Sequence, residues 1–264
     1  MADRSWWSAY RIPAGTAGRW RIGALTLWAE RRPEEWLLAA RSTHDPHDDA
    51  VEIEVPTTDP FPDEGAEQGR YPARSLGDEL RLDPCLPDRP VVSRPAVPLY
   101  LAPGEKARLY VSVPVWVRVK AGAVALREVP IYRSSDTWFG PNTREGELAY
   151  AARTSARTRA EEVPRRPHRA VVPVDLVNRT KALVPVERLN LPVVYLPLFG
   201  ADDGNLWTPS LDLRMEGDGE EEPRIQMDIR RAPPSEVPRP VAIAPARETP
   251  DRNLLTRALS ALIG

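Results

Sequence analysis

Thirty of the 264 residues are proline, and no other feature constrains the fold as strongly. A proline inside a helix removes a hydrogen bond and strikes the preceding turn, at about 3 kcal/mol each. A mainly helical chain is thereby excluded. The prolines fall into three groups. Pro56, Pro60, Pro62, Pro72, Pro84, Pro87, Pro90 and Pro95 punctuate residues 56–95, which read as an irregular connection. Pro98, Pro114, Pro173, Pro185, Pro192 and Pro197 read as strand ends or edges, where they limit edge pairing. Pro233, Pro234, Pro238, Pro240 and Pro245 build a semi-rigid spacer.

Between these breaks the apolar residues recur with a period of two. Residues 19–29 read as one strand covered on both faces, with Trp20, Ile22 and Ala24 on one side. Val51, Ile53 and Val55 alternate with Glu52 and Glu54. Leu109, Val111, Val113, Val115, Val117 and Val119 alternate over residues 107–119, with Pro114 marking an edge or bulge. Leu211, Leu213 and Met215, then Ile225, Met227 and Ile229, predict a hairpin. Short strands with turn residues between them predict a mainly β chain: an antiparallel β-sandwich, or two packed sandwich-like lobes. The expected organisation is an N-terminal β segment over 1–90, a sandwich core over 91–231, a Pro-rich linker over 232–249 and an amphipathic helix over 250–264. In that helix Leu254, Leu255, Ala258, Leu259, Leu262 and Ile263 form one apolar stripe. Alone in water so short a helix is marginal, so it is expected to dock on something.

A chain of this length can bury roughly three quarters of its unfolded surface, so its core needs no staples. The single Cys85 excludes an internal disulfide framework and a Cys-based zinc cluster. Thirty-six basic residues against 38 acidic ones argue against a nucleic-acid binder. Lys106, Lys120 and Lys181 are the only lysines, leaving 33 arginines. Such a bias suits recognition of carboxylates or phosphates, and equally follows from GC-rich codon usage. There is no signal-like start and no 18-residue uncharged apolar window, so the expectation is a cytoplasmic protein without a membrane span.

Three stretches carry a family resemblance: Val91 to Pro103, Ile131 to Pro141 with its continuation from Gly146 to Tyr150, and Val171 to Asn178 with Val184 to Tyr195. Together they resemble the family numbered 432 among domains of unknown function, over about residues 10–230. At Trp138-Phe139-Gly140 this chain departs from the Tyr-Gly pair of the family. The resemblance implies no activity. As a partner it suggests a small mechanosensitive-type membrane channel.

Motifs for chemistry are few. There is no Gly-x-Ser-x-Gly elbow, no Walker pattern and no Gly-x-Gly-x-x-Gly, and no cofactor is expected. His44, Asp45, His47, Asp48 and Asp49 would suit a divalent metal, the basis of a distant metal-dependent hydrolase reading; their local polarity also suits a solvated turn. Asp136, Trp138, Phe139, Arg144, Tyr150 and Arg153 gather aromatics and both charge signs on one turn-rich segment. They read as a recognition loop, or as a plug for the end of a sandwich. The first functional expectation is a non-catalytic accessory protein that docks a protein partner, or a second copy of itself, through the C-terminal helix and these loops. The alternative is a small-molecule site beside residues 136–153.

Overall fold

The structure is a computed structural model that describes residues 5–43, 45–62, 64–72, 75–95, 97–140, 144, 146–217 and 224–249, with the side chain of Arg153 outside this set. The helix expected over 250–264 lies outside the described residues. The described part is built of strands. Its helical pieces are two three-residue turns, Ala160–Glu162 and Val193–Tyr195.

The chain divides into two compact units. The first takes in Met1–Cys85, Pro114–Arg133 and Arg166–His168. It contains two antiparallel sheets. One has the order Val51–Glu54, Thr16–Ile22, Leu25–Arg32, Glu35–Ser42, Glu67–Pro72. The other runs Ala9–Arg11, Glu79–Cys85, Trp116–Ala121, Val124–Pro130. Alternation places Trp20, Ile22, Leu80, Leu82, Val117 and Val119 in the core, all fully buried. Trp6 and Trp36 join them. Tyr10 of one sheet meets Trp20 of the other edge to face, ring centres 5.1 Å apart.

Two expectations fail in this unit. Residues 19–29 are not one strand. The chain reverses at Gly23-Ala24, with Ile22 opposite Leu25. Gly23 has φ +53°, and a Cβ there would lie 2.8 Å from both the Asp48 carbonyl oxygen and His168 Nδ1. The turn therefore requires glycine. Residues 56–95 are likewise irregular only in part: they supply Glu67–Pro72, Glu79–Cys85 and, in the second unit, Val91–Pro95. Pro72 closes an edge strand, and Pro84 lies beyond Arg81, where the neighbouring strand's pairing ends. Neither leaves a ladder donor missing.

The second unit takes in Leu86–Val113, Ser134–Arg165 and Arg169–Gly264. Its largest sheet has seven strands: Arg224–Ile229, Leu211–Glu216, Arg169–Asn178, Leu206–Trp207, Leu198–Gly200 and Val241–Ala244 in order, with Lys106–Pro114 also paired to Arg169–Asn178. The predicted hairpin forms, with Leu211, Leu213 and Met215 opposite Ile229, Met227 and Ile225. A four-stranded sheet orders Asp136–Phe139, Glu147–Ala156, Val91–Pro95 and Leu189–Leu191. Val184–Val186 and Leu99–Leu101 form a separate pair.

The sheets of this unit are mixed, not purely antiparallel. Arg169–Asn178 runs parallel to Leu206–Trp207 and Leu211–Glu216, and Glu147–Ala156 parallel to Val91–Pro95. Each parallel pair is joined by a long stretch of chain, as the geometry demands, and a reading of local hairpins does not see it. Pro173 is also interior to its strand, not at an end. It is tolerated because the neighbouring ladder is interrupted there: Val171 pairs with Trp207 and Val174 with Leu211. Within the stretch expected as a spacer, Val241–Ala244 is a strand paired with Leu198–Gly200.

Asn178 ends the long central strand and is fully buried. Its Nδ2 donates to the carbonyls of Leu101 (2.8 Å) and Ala182 (2.9 Å). Its Oδ1 accepts from the Thr180 backbone N–H (2.9 Å) and hydroxyl (2.8 Å). Every polar function of this amide is used. Asn178→Ala strands several buried groups, each worth about 1–3 kcal/mol. We expect a loss of about 3 kcal/mol in urea unfolding, read as a lowered midpoint at unchanged slope.

Candidate functional site

The segment singled out from sequence folds as a hairpin. Asp136 lies opposite Tyr150, Thr137 opposite Ala149, Trp138 opposite Leu148 and Phe139 opposite Glu147. Because successive side chains alternate, the segment separates into two faces. Phe139 (2% exposed) and Ala149 (0%) point inward. Trp138 (44%) and Leu148 (43%) point outward, on the same face as Asp136 and Tyr150. Phe139 therefore belongs to the core and leaves the recognition set, whereas Trp138 lies on the outer face. Gly146 makes this arrangement possible. A Cβ there would lie 2.5 Å from the Phe139 carbonyl oxygen and 2.7 Å from Trp138 Nε1, so the indole edge closes over bare backbone.

Tyr150 anchors the strand to the segment that precedes Val91. Its backbone N–H donates to the Pro90 carbonyl (2.8 Å) and its hydroxyl to Asp88 Oδ1 (2.9 Å). The Arg89 guanidinium stands over its ring at 5.4 Å and pairs with Asp136 Oδ1 at 3.3 Å. Burial, the hydrogen bond to Asp88 and the Asp88 charge push the Tyr150 phenol up to about 12, against the pull of Arg89. Arg144 is exposed. Arg153 lies on the strand Glu147–Ala156, and its side chain is outside the described set.

Beside the hairpin is a cleft of about 200 Å³ whose lining includes Asp88, Arg89, Glu147, Asn190, Tyr195 and Glu248. Neither Trp138 nor Tyr150 lines it. Asn190 is 2% exposed. Its Nδ2 donates to Glu147 Oε1 at 2.6 Å, and its Oδ1 has no hydrogen-bond partner among the described residues. None of these six residues is among the sequence-derived candidates, and for most the reason is plain. Asp88 and Arg89 lie in the stretch expected as an irregular connection, and Glu248 lies in the stretch expected as a spacer. Only the fold brings them to Glu147.

The remaining candidates do not gather. His44 and the stripe Leu254, Leu255, Ala258, Leu259, Leu262 and Ile263 lie outside the described residues. Asp45 Oδ1 caps the His47 backbone N–H (2.8 Å), Asp48 pairs with Arg21 (2.9 Å), and His47 Nδ1 lies 3.1 Å from Arg166 Nη2. Burial would raise the Asp48 carboxyl, but the Ala50 N–H and Arg21 outweigh it and hold it low. Among the described residues, which leave out His44, no three His, Cys, Asp or Glu are grouped to hold a metal ion. Among the same residues no helix is long and apolar enough to cross a membrane.

Fold and site together define a class: a strand-built protein that presents an aromatic hairpin beside an acidic cleft. The chain belongs to the family described as protein of unknown function, DUF432, which matches residues 6–263. No curated protein and no solved structure matches it.

Two measurements probe this geometry. Gly146→Ala forces the Phe139 backbone or the indole aside, so unfolding should lose about 1–3 kcal/mol and Trp138 fluorescence should shift. In alkaline titration followed at 295 nm, one tyrosine should ionise near 12, and Tyr150→Phe should remove that step. Here the folded state holds its proton to higher pH than the unfolded chain does. The stability carried by Tyr150 is therefore complete below about pH 10 and is lost as pH rises toward 12.

Proposed function

We propose that this protein is a non-catalytic accessory protein that docks a protein partner through the outer face of the 136–150 hairpin. The observation that carries this reading is the pair Trp138 and Leu148, two large apolar side chains directly opposite each other and each more than two fifths exposed. Single exposed apolar residues are ordinary, but an aromatic side chain beside an aliphatic one, with charges at their edge, is how an interface centre is built. Arg89 and Asp136 supply that charged rim. The hairpin is held by main-chain pairing on both sides of Glu147–Ala156, so it is presented with little ordering left to be done on binding.

In this reading the sheets act as a sandwich-like scaffold in the cytoplasm. The stripe Leu254, Leu255, Ala258, Leu259, Leu262 and Ile263 supplies a second, tethered contact of the helix-in-groove kind. The family resemblance suggests a membrane channel as the class of partner.

The test compares full-length chain, Trp138→Ser with Leu148→Ser, and Val124→Ser as an exposed control (Val124 is 47% exposed). Each is immobilised and challenged with extract of the native host. A buried aromatic anchor contributes about 2 kcal/mol or more, so the double variant should lose at least ~10-fold in retention of a specific protein that the control keeps. If all three retain the same set at the same level, hairpin docking is wrong.

A further inference from the structure

The cleft beside the hairpin carries an inference of its own, and it does not rest on the docking reading, since neither Trp138 nor Leu148 lines it. The groups it offers are of one kind. Asp88, Glu147 and Glu248 contribute carboxylates. Asn190 contributes an amide oxygen that is buried and accepts no hydrogen bond among the described residues, although leaving such an atom unpaired costs about 1–3 kcal/mol. Its partner atom Nδ2 is committed to Glu147 at 2.6 Å, so the amide cannot turn round to hide the oxygen without breaking that bond. The cation of the lining, Arg89, is already engaged with Asp136 and stands over Tyr150. What remains open is a set of acceptors with net negative charge.

The ligand that suits these acceptors donates hydrogen bonds, carries positive charge and needs no donor from the wall. A metal ion satisfies the charge, but the carboxylates are not grouped as a metal cage requires. A primary ammonium satisfies all three demands, because it has three donors and no acceptor. The rest of the lining suits what such a group hangs from. Pro192, Val194, Tyr195 and Met227 give an apolar wall for methylenes, as charged side chains find when their stems are buried. A volume of about 200 Å³ is well above what a single water needs, enough for an ammonium head and a chain of a few carbons.

We propose that this cleft binds a primary alkylammonium group, with Asn190 Oδ1 and the Glu147 carboxylate as its acceptors and Tyr195 and Met227 against its carbon chain. The same chemistry arrives either as a free small amine or as a lysine side chain of another protein.

Calorimetric titration of the full-length protein tests this with two probes: n-butylammonium, and lysine blocked as acetyl and methylamide at its backbone ends. n-Butanol is the uncharged control, and magnesium chloride the metal control. Saturable binding of at least one amine, with none for butanol, is expected. Glu147→Gln keeps an acceptor for Asn190 but removes the charge, and should weaken binding at least ~5-fold. Glu248→Gln, an exposed change, should weaken it less and protects the test if the first variant is unstable. Trp138→Ser should leave amine affinity unchanged, which separates this site from the docking face. Blocked lysine binding as well as butylammonium identifies a protein side chain as the source; butylammonium alone identifies a free amine. No saturable binding by either amine, binding unaltered in both glutamine variants, or magnesium competing for the site would each overturn the proposal.

Discussion

A backbone that makes sheets must find a partner for every buried N–H and C=O, and a proline has no N–H to offer. With thirty prolines this chain can form sheets only where the missing donors are not needed. Pro72 ends an edge strand, and Pro173 falls where one neighbour stops and the next begins. Pro185 sits in a two-stranded pair opposite Tyr100, so one of its sides has no ladder to complete. The result is a set of short, interrupted strands in place of two long uniform sheets. Such interruptions create ends, and at those ends segments distant in sequence meet. The cleft lined by Asp88, Glu147, Asn190 and Glu248 is one of these meeting places.

Two buried asparagines show how the same side chain can serve different purposes. Asn178 spends both N–H groups and its oxygen on four hydrogen bonds, and in doing so ties the end of a central strand to the turn that follows. It is a structural clamp with nothing left over. Asn190 is almost equally buried, yet it commits a donor to Glu147 while its oxygen has no hydrogen-bond partner among the described residues. A low-dielectric interior makes satisfied polar networks strong and unsatisfied ones costly. The contrast is therefore energetic, and it is what separates a residue that holds the fold from one that faces a ligand site.

Period-two patterning made much of this architecture legible. The strand faces carrying Trp20, Ile22, Val117 and Val119 follow from alternation alone, as does the register of the hairpin that pairs Leu213 with Met227. What alternation cannot carry is long-range order. The reversal at Gly23 was hidden because both sides of it are apolar, so hairpin and continuous strand look alike. The parallel pairing of Glu147–Ala156 with Val91–Pro95 has no local signal at all. The candidate hairpin was found by its composition, but which of its residues face outward depended on the strand beginning at Asp136 and not one residue later. A shift of one would have buried Trp138 and exposed Phe139.

The abundance of arginine can now be read from where the guanidiniums lie. Many stand across a strand from a carboxylate: Arg19 with Glu54, Arg21 with Glu52, Arg118 with Glu128, all directly opposite. Others bridge diagonally, as Arg214 does to Asp228. Arg108 grips Asp175 and Glu236 while donating to the Tyr110 hydroxyl. Exposed pairs of this sort each add only a few tenths of a kcal/mol, so their number says little about stability. It does say something about recognition. A guanidinium held by a neighbouring carboxylate is poorly placed to seize an external phosphate, and the sheet face lined by Arg108, Arg179, Arg214 and Arg230 is balanced in this way by Asp175, Asp212, Glu216 and Asp228. In the acidic cleft the balance is not closed: its cation is turned toward Asp136, and its acceptors outnumber its donors. Arginine thus neutralises carboxylates across both faces named above. In the cleft beside the hairpin a cation from outside has acceptors to gain.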